Sequence, residues 1–335
     1  MGAAVAFDVG GLGGVILLLF AHVASLRRGV NSPSEGLIGS LRDERERRRT
    51  RNNDRVTVAI VTCLTMPEPD DDQDVLLEAL AEAGVAARLV AWDDPAADWP
   101  SYPLAVVRSA WNYIDDVEGF NAWARRAGRV TRLMNPAEVI TWNTHKGYLR
   151  DLAERGVEVV PTAWLSAGTA TTLAQVMDDN VWSDVVAKPV VGAGSYLTER
   201  IQDPESPEAV AFWNRLTGER DAMVQPYLAS VEDYGERSLV WIDGALTHSV
   251  RKSPRLGDDP ESVSAALPIA DDERELAEEI IADIPHELLY ARIDLIRDAF
   301  GRPLLAELEL VEPSLFLRQS PEALQRLVRA IEVRS

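Results

Sequence analysis

Residues 288–317 read LLYARIDLIRDAFGRPLLAELELVEPSLFL. Two aliphatic, alternating runs flank Ala299-Phe300-Gly301-Arg302, a four-residue connection with glycine, which predicts an antiparallel hairpin. Folded about that loop, residue i faces residue 601 − i, so Asp294 opposes Glu307 and Arg292 opposes Glu309. Strand side chains alternate faces, which puts these four on one face and Ile293, Leu295, Leu308 and Leu310 on the other. Opposed carboxylates repel across a ladder. Three of them together, Asp294, Glu307 and Glu309, call for a cation, and hard oxygen donors suit Mg²⁺ completed by a phosphate. The competing reading is a solvated sheet face with an Arg–Glu pair.

A phosphate-binding partner for that hairpin is sought upstream. Asp184–Val191 (DVVAKPVV) is an apolar strand interrupted by Lys188 and followed by Gly192-Ala193-Gly194-Ser195-Tyr196. A lysine within an apolar strand is costly unless it meets counter-charge. A glycine loop lets backbone N–H groups approach phosphate oxygens. The loop is neither GxxxxGK[ST] nor GxGxxG. Residues 141–155, from WNTHKGYL onward, predict one helix ending at Gly156, with Lys146 near its start, where a cation opposes the helix dipole and needs another purpose. AMVQPYL (222–228) reads as a strand broken at Pro226, whose backbone can present a donor and an acceptor to an adenine edge. Glu232, Asp233 and Glu236 follow. Strand 238–242, the turn Asp243-Gly244 and the return strand THSVRK, ending in Arg251-Lys252, come next.

Residues 55–140 alternate strand, helix and strand: RVTVAIVTC, then DVLLEALAEA stopped at Gly84, then VAARLVAW and YPLAVVRSAW. This predicts a small parallel sheet with no dinucleotide fingerprint. The acidic loop 66–72 sits at a strand's carboxyl end, where α/β sheets bind ligands, though most such loops are solvated turns. At the end of the third strand, Arg108, Ser109 and Tyr113 are candidates to hold a small carboxylate substrate, set against a packing role alone.

The 335-residue chain is long enough for two or three domains. Its formal charge of −20 excludes a basic nucleic-acid footprint. One cysteine, Cys63, excludes an internal disulfide framework and fits a reducing cytoplasm; four scattered histidines give no metal-ligand spacing. The first 54 residues differ from the rest. Val9–Leu26 is uncharged and glycine-rich, with Arg27-Arg28 after it and a mixed-charge tail beyond. The expectation is a dispensable leader or an over-extended start. The alternatives are a membrane anchor, which would leave the remainder inside the cell, and a secretion signal, which lacks its basic flank.

The order Lys146; Lys188 with its glycine loop; Gln225-Pro226-Tyr227-Leu228; an acidic residue; Arg251-Lys252; then Arg-x-Asp … Glu-x-Glu resembles the ATP-grasp superfamily. The phrases RSAWNY, WNTHKGYL, VQPYLASVEDYGE and ELELVEPSLFL resemble its O-ureido-serine cyclo-ligase branch most. Ribosomal-protein glutamate ligase and glutathione synthetase are similar too. The resemblance implies an α/β (α+β) ATP-grasp fold: a leader (1–54), an N-terminal α/β domain (55–140), and two subdomains (141–222 and 223–335) enclosing ATP. It implies that Lys146 and Lys188 touch ATP phosphates, covered by Gly192, Gly194 and Ser195. Gln225, Tyr227 and Leu228 would hold adenine, and Glu236, or its rival Glu232, the ribose. Asp294, Glu307 and Glu309 would bind two Mg²⁺, with Mn²⁺ as a substitute. Arg251 and Arg292 would stabilise the transferring phosphoryl group or the substrate carboxylate. Where many members have Glu-x-Asn, this chain has Glu307-Leu308-Glu309 followed by Glu312, leaving the second metal ligand open between Glu309 and Glu312.

The implied reaction is ADP-forming C–N ligation of a small-molecule carboxylate through an acyl phosphate, in the cytoplasm, with ring closure as one outcome. Positioning and charge neutralisation would carry the catalysis. The alternatives are an ATP-grasp phosphotransferase or a ligase acting on a protein or peptide, and a non-catalytic nucleotide-binding scaffold. A homo-oligomer is compatible with the sequence; a nucleic-acid partner is not, and a membrane partner requires residues 9–26 to be a real anchor.

Overall fold

The computed structural model describes residues 57–335 except 193, 195 and 254–261; residues 55–335 form one compact unit. The leader expectation, with its apolar stretch 9–26, lies outside the described residues, and no described helix is long and apolar enough to cross a membrane.

The first sheet is parallel, in the order β2-β1-β3-β4, with β1 at Thr57–Thr62, β2 at Ala86–Ala91, β3 at Leu104–Ser109 and β4 at Arg132–Met134. β1 and β3 are buried almost throughout, which is why they read as unbroken apolar runs. Helix α1 (Gln73–Glu82) buries Leu76, Ala79 and Leu80 against the sheet. Two further helices flank this sheet. In α2 (Val117–Ala127), which the sequence reading did not foresee, Asp116 caps the N-terminus by accepting the Gly119 N–H, and Phe120, Trp123, Ala124 and Ala127 are buried. The other is α3 (Ala137–Asn143), which begins before the helix expected from residue 141.

The single helix expected over 141–155 is two. α3 ends at Asn143 and α4 runs over Tyr148–Glu154. The break is held by bonds a continuous helix would forbid. The Lys146 N–H donates to Val190 O at 2.8 Å, and Asn143 bonds the Leu308 carbonyl and the Leu310 N–H. VEVVPTAWL is likewise divided at its proline: Val159 bridges Leu305, while β5 (Ala163–Leu165) joins the second sheet.

That second sheet has the order β5-β8-β6-β7, with β6 at Val185–Pro189, β7 at Glu199–Ile201 and β8 at Ala222–Pro226, all antiparallel. Helices α5 (Leu173–Asn180) and α6 (Pro207–Glu219) supply Leu173, Val176, Phe212, Trp213 and Leu216 to its core. The short α7 (Ser230–Asp233) leads to the third sheet, order β10-β9-β11-β12, also antiparallel. Here β9 is Glu236–Ile242, β10 Ala245–Lys252, β11 Tyr290–Arg297 and β12 Pro303–Glu309. Helix α8 (Asp271–Ala282) packs Leu276, Ala277 and Ile280 on Leu239, Ile293 and Leu308. The last helix, α9 (Pro321–Arg334), buries Leu327, Val328 and Ile331.

The hairpin register is Arg292↔Glu309 and Asp294↔Glu307, then slips by one so that Leu295 pairs Leu305. This bulge leaves the charged pairs as the alternation predicts and shifts only the rungs near the loop. Gly301, with φ of +79°, makes the turn that an L side chain would strain. The first and third sheets share one core: Val58, Ile60, Leu76, Leu80 and Val106 pack with Ile242, Val250, Tyr290, Leu315 and Leu327.

Candidate active site

A cavity of about 670 Å³ opens between the three sheets. One wall is the charged face of the β11–β12 hairpin. Carboxylate oxygens of Asp294, Glu307 and Glu309 lie within 4.8 Å of one another, a donor set that can hold a hard divalent cation. Basic side chains neutralise each of the three. Lys146 pairs with Glu307 and its Nζ donates to Gly192 O at 3.0 Å. Lys252 Nζ lies 2.9 Å from Asp294 and 2.5 Å from Glu236. Arg292 pairs with Asp294 at 2.9 Å and with Glu309.

These pairings set the protonation states. Burial opposes ionisation of Glu307, but Lys146 and Lys188 outweigh it and hold the carboxyl down at about 2. Burial also resists charge on Asp294, and Arg292 with Lys252 overcome it, keeping the group below the usual carboxylate range. For Glu309 burial wins: Arg292 offsets it only in part and Glu307 adds repulsion, so the carboxyl rises to about 7. Glu312, buried and repelled by Glu309, rises to about 8. Lys188 makes no ion pair among the described residues. Its ammonium is pushed below its ordinary value by burial, only partly offset by Glu307. A half-buried cation short of a partner, beside Gly192 and Gly194 on the cavity wall, suits a polyanion.

Opposite the hairpin, Gln225, Tyr227 and Leu228 line the cavity at the end of β8, with Val186 and Ile296 as apolar walls. Gln225 Nε2 donates to Thr162 Oγ1 at 3.0 Å, and the Arg200 guanidinium stacks 3.4 Å from the Tyr227 ring. Of the two ribose candidates, Glu236 lines the cavity, whereas Glu232 is on the outside, bonded to Arg200 and the Tyr227 hydroxyl. Ser195 lies outside the described residues.

Three expectations need correction. Arg251 does not face the cavity: its Nη2 donates to Glu232 O at 3.1 Å, and its side chain lies against Gly235, where a Cβ would collide with it. Strand alternation gives the cavity to its neighbour Lys252 instead. Arg108 is 2% exposed, donates from Nη2 to Pro313 O at 2.8 Å and sits 5.3 Å from the Tyr290 ring centroid. It fastens the segment after β12 instead of meeting substrate. Ser109 is fully buried, its hydroxyl donating to Thr62 Oγ1 at 3.2 Å. Tyr113 does reach the cavity, beside Glu312. The acidic loop is an anchor, because Asp72 binds the backbone of Leu315 and Leu317; Pro67 and Glu68 nevertheless line the cavity.

Sequence reasoning overlooked Lys252, named only as the second half of a dipeptide, and Trp111, whose Nε1 donates to Glu312 O at 3.0 Å. It also overlooked Asn143 and Tyr148, which fix the back of β12: the Leu308 N–H donates to the Tyr148 hydroxyl at 3.0 Å. Adjacent charged residues on a strand face opposite sides, and that signal could have flagged Arg251 or Lys252 as the one outside the site.

Comparison with known proteins bears on the family and the fold. Residues 58–135 match the family described as D-cycloserine synthetase DcsG, N-terminal domain. Cycloserine biosynthesis protein DcsG of Streptomyces lavendulae is 32% identical over 296 residues, 83% of this chain and 98% of that protein. The crystal structure of D-cycloserine synthetase DcsG superposes with a TM-score of 0.74 at 32% identity, over 83% of this chain and all of that one. D-alanine–D-alanine ligase from Bacillus anthracis, complexed with ATP, shares the fold at 12% identity and a TM-score of 0.61, over 83% and 98% of the two chains.

Proposed function

The chain belongs to the family of the cycloserine synthetase DcsG and has the ATP-grasp fold; from that premise we propose an ADP-forming carboxylate–nitrogen ligase that closes a ring on an amino-acid-like substrate such as O-ureido-serine. The observation that carries this is a carboxylate cluster, Glu307 and Glu309 on the cavity wall with Asp294 buried beside them, meeting Lys146, Lys188 and Lys252 on the same cavity.

In this reading Lys146, Lys188 and Lys252 bind the nucleotide phosphates, beside Gly192 and Gly194. Gln225, Tyr227 and Leu228 seat the adenine and Glu236 the ribose. Asp294, Glu307 and Glu309 would hold Mg²⁺, as two ions, with Mn²⁺ able to replace it. Bound there, the metal supplies charge neutralisation for the phosphates. A substrate carboxylate oxygen attacks the γ-phosphorus and ADP leaves; a substrate nitrogen then attacks the acyl carbon, phosphate departs and the nitrogen loses a proton. The protein's own share is placement and electrostatics. Arg292, buried and locked by Asp294 and Glu309, points a fixed cation at the charge that develops during transfer. Gly192 and Gly194, on the cavity wall, would help to exclude water that would hydrolyse the acyl phosphate. Use of ATP and a lone buried thiol, Cys63, support a cytoplasmic enzyme.

ADP release measured across a panel of amino acids, including both enantiomers of O-ureido-serine, tests this. Release with a cyclised or amide product is expected. Steady ADP release without such a product would move the reading to a phosphotransferase, and absence of any Mg²⁺-dependent ATP turnover would overturn it.

A further inference from the structure

Every carboxylate of the hairpin's charged face has a cation of the chain against it. Glu312, three residues beyond β12, does not. Its side chain lines the cavity and the residue is 8% exposed, yet among the described residues no basic group pairs with it, and the Tyr113 phenol lies beside it. The two cations that act on it are committed elsewhere, Lys146 to Glu307 and Arg292 to Asp294 and Glu309. Nor does Glu312 join the carboxylate cluster that can hold metal. A buried carboxyl without a counter-ion resists ionisation, and a cation arriving from outside is what stabilises its charged form.

The surroundings say what kind of cation. Trp111, Tyr113 and Phe316 line the same cavity, and Trp111 is tied to Glu312 through the bond from its Nε1 to the Glu312 carbonyl. Aromatic faces and one carboxylate form a receptor for an alkylammonium group, with shape and cation–π attraction adding to the ion pair. A small hydrated metal ion would find only one oxygen donor group there. Arg292 is linked to this segment, its Nη1 donating to Ser314 O at 3.4 Å, so the ammonium receptor and the buried guanidinium face one substrate from adjoining positions.

We propose that Glu312, with Tyr113 supporting it, binds the α-ammonium group of the substrate and thereby restricts the enzyme to zwitterionic amino acids whose carboxylate is presented toward Arg292. This rests on the ligase reading given above and adds a specificity residue to it.

The test compares wild type and Glu312→Gln, an isosteric change, on two compounds. One is the amino acid supporting the fastest ADP release in the panel; the other is the same compound lacking its α-amino group. KM for ATP serves as the control for a folded nucleotide site. Wild type should prefer the amino acid by 100-fold or more in kcat/KM. Glu312→Gln should raise the KM for the amino acid at least 30-fold, keep the KM for ATP within threefold, and shrink the preference to less than fivefold. Tyr113→Phe should give a smaller shift of the same kind. Unchanged preference in Glu312→Gln would overturn the assignment, as would loss of ATP binding in that variant, which would make Glu312 part of the nucleotide site or the fold. Failure of wild type to turn over any amino acid would instead overturn the ligase reading, and this inference with it.

Discussion

Asp72, at the head of α1, accepts the backbone N–H of Leu317 at 2.7 Å across 245 positions of sequence. Its other oxygen takes the Leu315 N–H at 2.8 Å. The carboxylate is 3% exposed, so it is a buried strut between the first sheet and the chain leaving the hairpin. Asp72→Ala removes two charge-assisted bonds and strands two buried donors. It should lower stability by roughly 3–5 kcal/mol, read as a shift of the urea midpoint, with Asp72→Asn losing about half as much. A loss below about 1 kcal/mol in the Ala variant would show that the strut contributes little.

Lys252 and Arg251 are neighbours with opposite fates. Lys252→Ala should cut ATP turnover by about 100-fold or more, the scale of losing a preorganised charge at a transferring group. Arg251→Ala should stay within about threefold on the same scale. Steady-state ADP release decides between them, and equal losses would mean that the strand faces have been exchanged.

Glu307→Gln and Lys188→Ala should each lower turnover by a comparable factor, and a binding readout separates their roles. In wild type, Mg²⁺ added with ADP should raise the thermal midpoint by several degrees, because a ligand at 100 times its Kd adds about 2.7 kcal/mol. Glu307→Gln should lose the Mg²⁺-dependent part of that rise. Lys188→Ala should lose most of the ADP-dependent part. Mn²⁺ should reproduce the wild-type rise, and chelation should abolish it.

His248 is 5% exposed on β10, and burial pushes its imidazole below the ordinary histidine value. The folded state therefore keeps it neutral while the unfolded chain protonates it. Its contribution is present above the unfolded value of about 6.5 and is lost as pH falls toward the lower, folded value. From pH 7.5 to 5.5 this residue should remove at most about 1.4 kcal/mol per pH unit, against the opposite trend from the raised carboxyls of Glu309 and Glu312. Relative to wild type, His248→Gln should therefore gain stability as pH falls, read from the difference between the two urea midpoints. A difference that does not change with pH would show that His248 contributes nothing to the pH dependence.

The hairpin was legible because its two signals agree: alternation over seven or eight residues on each strand, and a short loop with glycine. The bulge at the middle of β12 was not, since Leu304-Leu305-Ala306 offers apolar residues in either register. Lys188 and Arg108 show the harder limit. Each is a cation inside an aliphatic strand, and the local patterns are alike. One strand lines the cavity with its lysine; the other is covered on both faces, and its arginine finds Pro313 O more than 200 positions away. Only the packing of the sheets separates a ligand-binding cation from a fastening one. The same applies to Glu312: its lack of a counter-ion is a property of what surrounds it.

The first sheet's core is completed by side chains from much later in the chain, with Ile60 and Leu76 packed among Ile242, Tyr290 and Leu327. Transplanting residues 55–140 alone into another ligase would therefore bare an oily face and discard the strut at Asp72. For chimaeras between relatives, a crossover near residue 140 breeds true only when both parents carry matched residues at 240–250, 289–290 and 315–331. The heritable unit is the pair of sheets, although the sequence between them is long enough to hold a whole third one.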